Sequence, residues 1–245
     1  MQFSVTPITI GLLIGFILEF FLALYLLGKD RSFTANKLLS LAYVSLGLTI
    51  FTNFVYIQWS VGVETALLFH RISNSFAIIF GIFLFATATW LRFGNDGFRG
   101  RSFLILTFFS LISIIGILFS SGVIMHEELL NSNISYVAHW DVFFFTICSF
   151  PILLLGSFVV YYFSKLWLEL KSDPVVSRQL FLSIIAYFLI TLAYFISRLP
   201  FLLQDIIPEF AKLLDTLALI SSMLVLIVSV IIAYIFTHSR TTTAN

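Results

Sequence analysis

Glu19 is the one Asp, Glu, Lys, Arg or His near the middle of any long apolar run in this chain, the run being Pro7 to Leu27. A carboxyl group at that depth of a bilayer costs roughly 2 to 4 kcal/mol even on lenient insertion scales, so it must face protein and not lipid. Every fourth residue around it, Gly11, Gly15 and Ala23, is small, which gives one helix face shaped for close contact. Two chemistries stay open for it. One is a protonatable or ligand-binding group in a bundle core, with Asn53 or a hydroxyl of a later span as partner. The other is a neutral acid hydrogen-bonded to a neighbouring helix to fix packing.

A second set of polar residues stands at the ends of apolar runs: Arg71, Asn74, His139, Asp141, Arg198 and Asp215. If those ends converge, they line an outward-facing pocket of mixed charge, suited to a small polar or anionic ligand held by arginine. The same residues would equally serve as interface ion pairs that orient helix ends. On the same spans, His70 and Asn74 are four apart, and Tyr187, Tyr194 and Arg198 are spaced by seven and four, so each group shares a helix face.

Other chemistries find no residues. A metal site would need His70, His126 and His139 to meet Glu127, Glu128 or Asp141, and no pair has the i, i+4 spacing of a helical metal motif. Haem ligation needs histidine pairs deep in facing helices, and all four histidines lie near span ends. No G-x-S-x-G, H-E-x-x-H or carboxylate dyad occurs, and no lysine lies deep in a span to carry a retinal Schiff base. The single cysteine, Cys148, falls inside a predicted span and reads as a small core residue. No basic tract suggests nucleic acid. The expectation is a non-enzymatic protein with neither cofactor nor metal.

The elements that must position these residues are membrane helices. With 60% hydrophobic and 10% charged residues, the chain reads as an all-α integral membrane protein, one domain of seven spans. The predicted spans are about 7 to 27, 38 to 60, 73 to 93, 102 to 124, 141 to 164, 179 to 199 and 213 to 237. The N-terminal run lacks a basic n-region and carries an acid, so it reads as a retained helix and not a cleaved signal. Ten of the thirteen Lys and Arg residues fall on one set of alternating loops: Lys29, Arg31, Lys37, Arg92, Arg99, Arg101, Lys165, Lys171, Arg178 and Arg240. That bias puts the N-terminus outside and the C-terminus inside. The first inner loop, Gly28 to Lys37, reads as a turn and a helix start, with Ser32 or Thr34 as N-cap. Residues 125 to 140 read as the most polar outer loop. Pro151 reads as a kink in span 5, Pro200 as the end of span 6, and Pro200 to Asp215 as a short interfacial helix.

Two pieces carry a family resemblance. Lys29-Asp30-Arg31 followed by Ala35-Asn36-Lys37-Leu38 is similar to the basic turn joining the first two helices in the N-terminal seven-helix sensor region of bacterial membrane histidine kinases and related cyclases. Phe69-His70-Arg71-Ile72 is similar to an Arg-Leu or Arg-Ile at the head of their third helix. The resemblance implies a bundle in the bacterial cytoplasmic membrane that receives a signal outside or within the bilayer and passes it inward. The output module of that group has no counterpart in these residues, so the output would belong to a partner, or these residues are the sensor region excised from a longer protein.

The reading that follows is a receptor-like sensor. Glu19, Arg71, Asn74, His139, Asp141, Arg198 and Asp215 would bind a small ligand or membrane component. Lys29, Arg31, Asn36 and Lys37 would meet a cytoplasmic signalling protein, and a second copy of the chain is an admissible partner. Two rivals stand beside it: an ion or proton-coupled carrier in which Glu19 titrates, and a structural subunit or assembly factor using the Gly11-x-x-x-Gly15 and Phe-rich faces.

Overall fold

The computed structural model describes residues 7–59, 62–130 and 133–203, together with Thr216, Leu217, Ile220, Met223, Leu224, Ile227, Val228, Ile231 and Ile235. Six helices in it are long and apolar enough to cross a membrane, compatible with an integral membrane protein. They are α1 (Pro7–Lys29), α2 (Thr34–Trp59), α3 (Val63–Phe93), α4 (Arg101–Phe119), α5 (Val142–Glu169) and α6 (Pro174–Leu203). The seventh expected span, 213 to 237, is described only at scattered residues, each helical, of which Val228 is fully buried in the core. Asp215 and the expected interfacial helix from residue 204 onward lie outside the described residues.

α3 is the element the others surround. It touches α2, α4, α5 and both strands of a hairpin, and its buried residues include His70, Ser73, Asn74, Ala77, Gly81, Leu84 and Ala88 at three- and four-residue steps. The face is rich in small residues, which lets neighbouring backbones approach. Gly81 shows the closeness, since a Cβ there would stand 3.1 Å from Leu155 of α5. Across α1 and α2 the same logic places Gly47 against Phe20 and Glu19, and the Ser40 hydroxyl donates to the Ala23 carbonyl at 2.9 Å.

The all-α expectation is corrected at residues 123 to 140. These form an antiparallel hairpin, β1 (Val123–Leu130) and β2 (Asn133–Trp140), in register from Val123 opposite Trp140 to Leu130 opposite Asn133. The physical reason is a period of two: Val123, Met125, Ala138 and Trp140 are buried, whereas Ile124 and His126 are exposed. The buried face sits on α3 and α5, in a cluster with Tyr56, Ala66, Ile78, Phe144 and Cys148. α4 accordingly stops at Phe119, short of the expected 124.

Two further expectations change. Pro200 does not end α6, which continues to Leu203; proline removes one donor and crowds one carbonyl, and a flanked helix can absorb both. Pro151 is likewise contained within α5. In the α1–α2 turn the organiser is Asp30, not Ser32 or Thr34. Its Oδ1 accepts from the Ser32 backbone N–H at 2.8 Å, the Ser32 hydroxyl at 2.6 Å and the Phe33 N–H at 3.3 Å.

The basic end of the bundle is tied together by local contacts. Phe33 packs edge-on against Trp90 with ring centres 4.8 Å apart, and Arg92 pairs with Glu169 at 2.8 Å. Gly94, with φ +62° and ψ −148°, turns the chain out of α3 in a conformation that essentially only glycine adopts.

Candidate functional site

A cavity of about 130 Å³ lies between α1, α2, α3, α5 and α6, toward the hairpin end of the bundle. Its deeper wall is apolar: Leu46, Ile50, Phe80, Leu84, Ile152, Val159 and Ile190. Glycines make room for it, with Gly11 and Gly15 from α1, Gly81 from α3 and Gly156 from α5. The small-residue stripe of α1 is thus partly a cavity wall, and a Cβ on Gly11 would meet nothing within 4 Å. Polar groups gather at the hairpin end, where Thr49 and Asn53 of α2 face Tyr194, Ser197 and Arg198 of α6. An apolar slot with a few convergent polar groups at one end is the usual form of a small-molecule site.

Arg198 defines that polar end. Its side chain is buried, with 6% exposure, and its guanidinium stacks among three rings, 5.6 Å from the centre of Trp140, 4.9 Å from Tyr194 and 6.0 Å from Phe201. Among the described residues no carboxylate pairs with it, and its Nε–H has no acceptor. Stacking on aromatic faces contributes about 0.5 to 2 kcal/mol per ring and does not use the Nε–H.

Around Arg198 runs a chain of hydrogen bonds that sequence reasoning traced only in part. The Trp140 Nε1–H donates to His70 Nε2 at 2.9 Å, so His70 accepts at Nε2, and its buried Nδ1 has no partner among the described residues. The Asn74 amide donates to the His70 carbonyl at 2.9 Å, and the Tyr194 hydroxyl donates to Asn74 Oδ1 at 3.1 Å. His70 also meets the rings of Tyr56, Phe144 and Phe201. The Tyr56 hydroxyl donates to the Tyr136 carbonyl, which fixes the hairpin to α2. α6 is therefore wired through Tyr194 to α3, and α3 through His70 to the hairpin.

Of the expected ligand residues, the structure brings together Asn74 and Arg198. Arg71 turns instead to α4, donating to the carbonyls of Leu118, at 3.4 Å, and Ser120. It thereby satisfies the orphan acceptors at that helix's C-terminal end. Asp141 caps α5, its Oδ1 accepting from the Phe144 N–H at 2.6 Å. His139 lies on the hairpin face opposite Trp140, with its ring 4.6 Å from His126. Among the described residues no group of three metal-ligating side chains forms. Glu19 is fully buried but does not line the cavity; it sits one turn deeper along the same face of α1 as Gly15, near Tyr43 of α2, itself beside Tyr187 of α6.

The residue that sequence reasoning missed is Trp140. The signal existed in the alternation that makes 134 to 140 a strand, because it puts Trp140 on the face that His139 does not share.

At the opposite end, a second cavity of about 180 Å³ is lined by Phe33, Asn36, Thr87, Phe163, Gln179 and Tyr187, among others. Of the expected partner-binding residues, Lys29, Arg31 and Lys37 are exposed there. Asn36 holds the turn by donating to the Asp30 carbonyl at 3.2 Å.

No protein-family model matches the chain, and no curated protein matches it significantly.

Proposed function

We propose that this protein is a membrane-embedded, receptor-like sensor that takes a small ligand into the cavity ending at Arg198 and signals through the basic loops to a cytoplasmic partner. The observation that carries the reading is that cavity: an apolar slot whose polar end holds a buried arginine with no carboxylate partner among the described residues. The network through Tyr194, Asn74, His70 and Trp140 supports a signalling role, because a ligand that moves Arg198 also moves the contacts joining α6, α3 and the hairpin. The lysine and arginine bias of the loops supports a seven-span protein of the bacterial cytoplasmic membrane, N-terminus outside and C-terminus inside. In that frame the cavity lies in the outer half, and Lys29, Arg31 and Lys37 face the cytoplasm.

The position of Glu19 favours packing over transport, since it meets Gly47 across the α1–α2 contact and stands outside the cavity lining. Hydrogen exchange on the protein in nanodiscs, stripped of lipid-like ligands and then reloaded with a cell extract, tests the reading. Loading should change protection both beside Arg198 and at residues 30–37, 94–100 and 170–173. Unchanged protection at those loops contradicts a sensor. Proton flux in liposomes that vanishes in Glu19→Gln would replace it with a carrier.

A further inference from the structure

Resting on the reading of the cavity as a ligand site, we infer that its ligand is a monoanionic amphiphile, a carboxylate-type head on one short apolar tail. Three observations lead there. The head position is set by Arg198, a buried cation with an unused Nε–H and, among the described residues, no carboxylate partner. A guanidinium presents parallel donors that match a carboxylate or a phosphate edge, and an ammonium-bearing or neutral head would leave that match unused. The Asn53 amide lies at the same end and can supply a further hydrogen bond to such a head.

The tail position is set by what lies beyond. From Arg198 to Ile190 along α6 is eight residues, roughly 12 Å at the helical rise, and over that depth the lining turns to leucine, isoleucine, valine and phenylalanine. That depth suits one short apolar chain lying along α6. A carboxylate at Arg198 would also offset a buried cation that has no carboxylate partner among the described residues. The head chemistry has two sources in a membrane: a free medium-chain acid, or an anionic lipid that lends its headgroup and one chain.

The test is saturable binding of radiolabelled decanoate at pH 8 to the full-length protein in phosphatidylcholine nanodiscs, with empty nanodiscs subtracted. Decanol is the neutral competitor and phosphatidylglycerol the lipid competitor. Decanoate should bind saturably, decanol should compete weakly, and Arg198→Gln should weaken binding roughly ten- to a hundredfold. Gly11→Leu, which places its side chain in open space, should abolish binding while leaving thermal stability intact. It is the variant to rely on if Arg198→Gln fails to fold. Competition by phosphatidylglycerol assigns the site to a bilayer lipid, and its absence to the free acid; both keep the anionic head. Decanol binding as tightly as decanoate, lost in Gly11→Leu, overturns the anionic head and leaves the cavity reading standing. Binding of neither, with Gly11→Leu indistinguishable from the parent protein, overturns both.

Discussion

Replacing Trp140 by Phe isolates the hydrogen bond that joins the hairpin to α3. Both partners are buried, Trp140 with 3% and His70 with 1% exposure, and the bond length is 2.9 Å. The phenylalanine ring keeps the contacts with Phe144 and Phe201 in kind, so the main loss is the indole N–H. Among the described residues His70 Nδ1 has no partner, and the substitution takes from the buried Nε2 the one it has. An orphaned buried acceptor costs about 1 to 3 kcal/mol, and thinning one of three cation–π contacts of Arg198 adds about 0.5 kcal/mol or more. The expected destabilisation is about 2 to 3 kcal/mol, read from reversible unfolding in mixed micelles. A double-mutant cycle with His70→Leu makes the test sharp. Once the imidazole is gone nothing is orphaned, so Trp140→Phe should cost at least about 1 kcal/mol less in that background. Additivity of the two changes within about 0.4 kcal/mol would refute the pairing as the reason both residues are buried.

Other consequences are more local. Arg71→Ala should destabilise by about 1 to 2 kcal/mol and speed hydrogen exchange at the end of α4, while binding in the cavity stays within twofold of the parent; loss of binding would return Arg71 to the site. Gly94→Ala should destabilise by about 1 to 3 kcal/mol in the same unfolding assay, because alanine cannot take φ +62° with ψ −148° without strain; a neutral effect would contradict that backbone. The hydrogen bonds from Ser32, first its hydroxyl and then its N–H, hold the Asp30 carboxyl below the usual carboxylate range. With the folded value depressed, the turn's stabilisation is present above the unfolded value of about 3.9 and lost as pH falls through the folded one. Hydrogen exchange at Ser32 and Phe33, corrected for intrinsic rates, should therefore rise at acid pH in the parent protein and show no such step in Asp30→Ala.

The helices were the most legible part of the chain, since twenty-residue apolar runs broken by Lys-Asp-Arg or Gly-Asn-Asp-Gly admit few other readings. The inward face of α1 was legible too, from Gly11, Gly15, Glu19 and Ala23 at one turn each. The hairpin was hidden because charged Glu127 and Glu128 and the polar run Asn131-Ser132-Asn133 outweigh the period-two signal in a composition-based reading. Pro200 misled for a related reason: its local preference is to end a helix, and the surrounding bundle overrides it. The site was half legible. His70 with Asn74, and Tyr194 with Arg198, could be grouped by helical spacing, but their convergence with Trp140 depends on a contact across seventy residues between His70 and the hairpin. Arg71 and Asp141 looked like ligands because they stand at span ends that could converge on one pocket; in the folded chain both serve helix ends, an equally good use of the same groups.

Native mass spectrometry of the parent protein and Gly11→Leu, released from the same membranes, tests most directly that the cavity ending at Arg198 is a ligand site. The account predicts a bound small acid or anionic lipid on the parent chain that is missing from Gly11→Leu. The same bound masses on both, or none on either, would contradict it.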